Sequence, residues 1–164
     1  MARRVYFAFH YKDVANFRAN VVRNSWVTKP DREEAGFFDA SLWEETKKKG
    51  DEAIQRMIKS ALEGTTVTVV LIGKETSGRK WVRYEIKESH KKGNGLLGVY
   101  IHNIPDKNGN TDEQGNNNFG AIAVDANGEN VYFWQLYPTY DWVKNDGYNN
   151  LGEWVERAAK KAGK

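Results

Sequence analysis

The chain has 164 residues, a net charge of +3 and no cysteine. A single domain with a sizeable core is expected at this length. The missing thiols exclude disulfides, thiolate zinc sites and a cysteine nucleophile.

The opening MARRVYFAFHYKD is charged and runs straight into a strand pattern, and no apolar run approaches membrane-spanning length. A cytoplasmic protein with no signal peptide and no membrane partner is therefore expected. Lys and Arg are scattered among nearly as many acids, so no basic face emerges and no nucleic-acid partner is expected.

RVYFAF, Arg4 to Phe9, reads as a first strand ending at His10. Asp13 is placed to cap a helix in which Val14, Phe17, Val21 and Val22 keep helical spacing. Pro30 and Gly36 punctuate the exit. GFFDA, Gly36 to Ala40, reads as the second strand, followed by a loop through Ser41, Leu42 and Trp43. The clearest helix comes next: Ile54, Met57, Ile58, Ala61 and Leu62 form one stripe, and Gly64 stands at its stop. Val67 to Ile72 is too hydrophobic for a strand with one wet face and suits the middle of a parallel sheet. Gly73 ends it, and Thr76 or Ser77 can cap a helix beginning near Arg79 or Lys80. GLLGVYI, Gly95 to Ile101, is a fourth strand.

After Ile101 the pattern is lost. His102 to Asn130 is rich in Asn, Gly and Asp and reads as a surface loop or excursion with few buried contacts. DKNGNTDE is not an EF-hand, because its Gly is misplaced and Asn117 stands where the bidentate Glu belongs. Val131 to Leu136 is a candidate fifth strand. Leu151, Trp154, Val155, Ala158 and Ala159 mark a closing amphipathic helix.

Alternating strands and helices predict an α/β fold, a parallel sheet with helices on both faces and right-handed crossovers. The expected order is flavodoxin-like, 2-1-3-4 with a fifth strand at the edge. In such sheets ligands bind beyond the carboxyl ends of the strands. The loops after strands one, two and three hold His10 and Tyr11; Asp39, Ser41 and Trp43; and Gly73. Trp81 and Glu85, four apart, share a face near the start of the next helix. One cleft lined by these residues is the expectation. Each also has a plain reading: Asp and Ser favour turns, and Glu85 suits a helix start.

Other families with this topology fit poorly. A phosphoacceptor receiver needs an Asp ending strand three, where this chain has Leu71-Ile72-Gly73. HYKD is not a flavin phosphate loop, and neither a Walker loop nor GxGxxG occurs. His10, His90 and His102 lack metal-ligand spacing.

VYFAFHYKD, GFFDASLWE and TSGRKWVRYEI, together with FRANVVRNSWVTK and YDWVKNDGYNNLGEWVE, resemble the TIR-like family, in particular its ThsB branch from the bacterial Thoeris anti-phage system. In enzymatic members the Glu of Trp-x-x-x-Glu is catalytic for cleaving the nicotinamide–ribose bond of NAD⁺; here the motif falls on Trp81 to Glu85. The resemblance implies an enzyme that takes NAD⁺ as substrate, with no cofactor, and makes a cyclic ADP-ribose isomer. The implied partners are a ThsA-type effector reached through that product, other TIR domains by self-association, and a phage-derived activator. Trp81, Trp43 and Tyr11 would stack on the substrate's rings. Where many TIR domains carry basic residues after strand one, this chain has His10-Tyr11. A non-catalytic TIR adaptor and a nucleotide-sensing module are the alternative readings.

Overall fold

The computed structural model describes residues 3–38 and 40–164. Five strands form one parallel sheet: β1 (Arg3–Ala8), β2 (Arg32–Ala35), β3 (Val67–Ile72), β4 (Gly95–Tyr100) and, numbered in chain order after a small hairpin, β7 (Thr139–Asp141). Their order is β2-β1-β3-β4-β7. β1 and β3 are the adjacent inner strands, in parallel register from Val5 opposite Val67 to Ala8 opposite Val70. All six residues of β3 are buried. That is the outcome of a β-branched run covered on both faces, and each fully buried Val, Leu or Ile contributes about 1.5–3 kcal/mol of transfer free energy.

Alternate strand residues feed two cores. Val5, Phe7, Val69, Leu71, Leu97 and Val99 face α2 (Arg18–Val27) and α7 (Gly147–Lys161), where Val22, Trp26, Leu151 and Val155 meet them. Tyr6, Ala8, Val70, Ile72 and Leu96 face α4 (Asp51–Leu62) and α5 (Lys80–Lys92) through Ile54, Ile58, Val82 and Ile86. Of the stripe expected on α4, Ile54, Ile58 and Leu62 are buried. On α7 all five expected apolar positions are buried.

Several boundaries differ from the sequence reading. The expected first helix is split into α1 (Lys12–Ala15) and α2, because Phe17 takes a left-handed conformation (φ 68°) and its ring is exposed. Asp13 therefore lies inside α1 instead of capping it, and it is buried. The second strand is Arg32–Ala35, ahead of GFFDA. An edge strand needs no apolar run, and REEA has only Ala35 buried. Leu42 and Trp43 lie in α3 (Ala40–Lys48), not in a loop. Before α5, Thr76–Gly78 forms a 3₁₀ turn, and Thr76 Oγ1 accepts from the Gly73 amide at 2.8 Å instead of capping the helix.

The stretch after β4 is not a bare excursion. It holds the antiparallel hairpin of β5 (Ala121–Val124) and β6 (Asn130–Tyr132). Phe119 and Ile122 enter the α4/α5 core. Buried Arg18 ties the loop to α2, donating to the carbonyls of Ile104 (2.7 Å) and Asn110 (2.8 Å) and pairing with Asp112 at 3.6 Å. Val131 to Leu136 divides between β6 and the short helix α6 (Phe133–Leu136), and the fifth sheet strand is β7. With three residues after Pro138, β7 is too short to leave an alternating pattern in the sequence.

Candidate active site

A cleft of about 630 Å³ opens beyond the carboxyl ends of β1 and β2. Three segments build it. β1 delivers Phe9, His10 and Tyr11, the exit of β2 and α3 deliver Gly36, Phe38, Trp43 and Lys47, and the start of α5 delivers Arg79, Lys80, Trp81 and Glu85. Gly36 permits the close turn off β2: its φ is +88°, and a Cβ there would stand 2.5 Å from the Phe7 carbonyl oxygen.

Glu85 is a buried carboxyl group in the wall of this cleft. It follows Val82 by three residues and precedes Ile86 on the face of α5 that packs on the sheet, and only 5% of it is exposed. Burial pushes its carboxyl from the ordinary 4.5 up to about 8, and the facing Tyr6 hydroxyl draws it partway back. Tyr6 is fully buried, and its hydroxyl closes no hydrogen bond of ordinary geometry. Glu85 therefore stands close to the balance between acid and carboxylate near neutral pH.

His10 is also enclosed, with Nε2 lacking a hydrogen-bond partner. Burial, and then the Arg79 charge, lower its pKa to about 4, so the imidazole is neutral at physiological pH. Its ring meets Tyr11 edge-on, and the Tyr11 ring is exposed at the mouth. Trp43 stacks on Phe38 at 6.2 Å, and Trp81 lies edge-on to Tyr84 at 5.6 Å.

The structure thus brings together His10, Tyr11, Trp43, Trp81 and Glu85. Ser41 is exposed on α3 and is not among the lining residues. Gly73 sits behind the cleft: a Cβ on it would stand 2.6 Å from both Asp13 carboxylate oxygens. Asp39 lies outside the described residues.

Three basic residues at the cleft, Lys47, Arg79 and Lys80, were not singled out in the sequence. Arg79 and Lys80 immediately precede Trp81, a signal available in principle. Lys47 is one helical turn beyond Trp43, which is informative only once α3 is known to be a helix. Tyr6 left no signal, because β1 is buried on both faces and no periodicity marks which residue meets Glu85.

A flavodoxin-like parallel sheet with an aromatic-walled cleft and a buried carboxyl group at its carboxyl edge defines an α/β domain with a ligand-sized cleft. Comparison of the sequence with known families assigns it further. Residues 6–106 match the family described as Thoeris protein ThsB, TIR-like domain. The chain is 41% identical over 191 aligned positions to the Bacillus cereus (strain MSX-D12) protein named "Putative cyclic ADP-D-ribose synthase ThsB1", covering 94% of this chain and 100% of that protein. The chain belongs to the ThsB TIR-like family. Among the described residues, no helix is long and apolar enough to cross a membrane.

Proposed function

We propose that this protein is a TIR-domain enzyme of bacterial anti-phage defence that cleaves the nicotinamide–ribose bond of NAD⁺ and closes the product into a cyclic ADP-ribose isomer. The observation that carries this reading is the buried carboxyl group of Glu85 inside an aromatic-lined cleft that also carries Lys47, Arg79 and Lys80. The relative's name points to the same product class.

The chemistry follows from charge. The nicotinamide ring of NAD⁺ is cationic, so when the C–N bond breaks its electron pair neutralises the leaving group and no general acid is needed. The positive charge passes to the ribose as an oxocarbenium-like centre, and a fixed carboxylate stabilises it. A cationic substrate entering beside Glu85 lowers the carboxyl pKa and favours the charged form where it is needed. Lys47, Arg79 and Lys80 stand where a pyrophosphate would meet them, with Trp43, Phe38, Trp81 and Tyr11 available for the two rings. Mostly apolar walls keep water from the cation while a nucleophile on the same molecule attacks the anomeric carbon and gives up its proton.

On this reading NAD⁺ is substrate and not cofactor, and the diffusible product acts on a ThsA-type effector inside the same cell. Activation by a phage-derived component and TIR–TIR self-association belong to the same proposal. Incubating the purified protein with NAD⁺, with and without extract from phage-infected cells, and identifying products by mass spectrometry tests it. A cyclic ADP-ribose isomer is expected. Intact NAD⁺ under both conditions would overturn the proposal.

A further inference from the structure

A second cavity, of about 730 Å³, lies at the opposite end of the sheet from Glu85. Gly95, on its floor, opens β4 and pairs with Val67, which opens β3, so this is the amino edge of the strands. Helix α5 links the two places, with Trp81 and Glu85 in the cleft and His90 in this groove.

The two walls differ in chemistry. One is α6 and its exit, with Trp134 half exposed, Leu136 and Tyr137. The other is α7, presenting Trp154, Arg157 and Lys161. Among the described residues no carboxylate lines the groove, which combines two permanent cations with aromatic rings. Arg157 is ion-paired with Glu153 at 2.7 Å, and both cations keep donors without a partner among the described residues. Lys161 Nζ donates to the Leu136 carbonyl at 3.2 Å, which leaves two of its three protons free. Arg157 gives Nη2 to Glu153 and Nη1 to Tyr140 Oη, and its Nε–H makes no hydrogen bond. Some terminal carbonyls of the two helices that end here already have partners: those of Ala158, Ala159 and Lys160 accept from amides of residues 162–164, and those of Ser89 and His90 accept from Asn94 and Gly93.

We infer that this groove is a second ligand site, distinct from the catalytic cleft, for a small planar ring carrying a phosphate, of nucleoside monophosphate size. The ring would lie against Trp134 and Tyr137, and the phosphate would face Arg157 and Lys161. The volume falls within the range of small-ligand pockets, and an exposed Trp opposite two cations is suited to an aromatic anion.

The test is titration of the intact protein with AMP, followed through the tryptophan indole N–H resonances, assigned by single substitutions. Saturable shifts of the Trp134 and Trp154 signals are expected. The Arg157→Ala/Lys161→Ala double variant should weaken them about tenfold or more, with the folded state checked by circular dichroism. Trp43 and Trp81, in the other cleft, report binding there separately and should respond to AMP alike in wild type and double variant. Shifts confined to Trp43 and Trp81, no saturation at millimolar AMP, or equal response of Trp134 to AMP and uncharged adenosine would each overturn the inference. Because the readout is binding at Trp134, its outcome does not depend on whether the protein consumes NAD⁺.

Discussion

Glu85 on α5, at the wall of the cleft, and Tyr6 on β1 face one another, a carboxyl and a phenol both out of bulk water, and the Tyr6 hydroxyl closes no hydrogen bond of ordinary geometry. Each raises or restrains the other: the Glu85 charge adds to burial in holding the Tyr6 phenol protonated, and the Tyr6 hydroxyl is what opposes burial at Glu85. The pair sets the protonation state of the group on which the proposed chemistry depends.

Tyr6→Phe should accordingly move the pH profile of kcat/KM for NAD⁺. That quantity reports the free enzyme, where the Glu85 carboxyl stands at about 8, so wild-type kcat/KM should rise with pH through that region. Removing the phenol takes away the side chain that favours the carboxylate, and the rise should shift to higher pH. An unchanged profile would mean that the hydroxyl plays no part in setting the charge of Glu85.

The basic rim should act on binding more than on the bond-breaking step. Lys47→Ala and Arg79→Ala should each raise the KM for NAD⁺ by about fivefold to tenfold with kcat nearly unchanged, the pattern of uniform binding lost at a charged contact. Both residues are well exposed, so the penalty should shrink as salt is added. Losses mainly in kcat would place these side chains at the reacting bond instead.

Two glycines separate a packed loop from an open one. A Cβ on Gly115 would stand 2.1 Å from the Gly73 carbonyl oxygen, whereas one on Gly78 would meet nothing within 4 Å. Gly115→Ala must push the loop off the connection between β3 and α5, and should cost about 1–3 kcal/mol, the scale of overpacking. Gly78→Ala should be neutral to slightly stabilising, because its backbone is not in the left-handed region. Thermal melts of the two variants decide it, and equal melting temperatures would show that the loop yields without cost. For the same reason, and because Arg18 is anchored there, replacing Lys107 to Asn117 with a short linker should lower stability.

What could be read in advance followed burial. β3, β4, α4 and α7 carry their environment in their periodicity, so the sheet's centre and both covering layers were legible. β2 and β7 were not, since edge strands of four and three residues have too little buried surface to pattern their sequence. The region after β4 reads as a bare loop on composition, and composition misleads there. Its Asn and Asp side chains bind their own loop amides, as Asp106 does for Asn108 and Asn110, so a polar segment can be well ordered. In the site, Trp81 and Glu85 were legible from helical spacing, and His10, Tyr11 and Trp43 from their places after the strands. Ser41 faces solvent and Gly73 faces Asp13, because position after a strand fixes the edge of the sheet but not the direction of a side chain.

Glu85→Gln should change activity and stability in opposite directions. Gln keeps the shape and hydrogen-bonding capacity of Glu but cannot carry the charge, so NAD⁺ turnover should fall by about a hundredfold or more, the scale for a preorganised electrostatic group. Stability should rise. The folded-state pKa of Glu85, about 8, lies above the ordinary carboxylate value of 4.5, so the folded protein holds a proton that the unfolded chain releases. Stability from that proton is fully present below about pH 4.5 and is lost progressively as pH rises toward 8. The Gln variant has no such loss. It should match wild type in denaturant melts at pH 4 and exceed it by on the order of a few kcal/mol near pH 8. Product formation and urea midpoints, measured on both proteins across this pH range, give the two readouts independently. A variant that turns over NAD⁺ at the wild-type rate removes Glu85 from the reaction. One whose extra stability does not grow with pH shows that the carboxyl ionises freely in the folded protein.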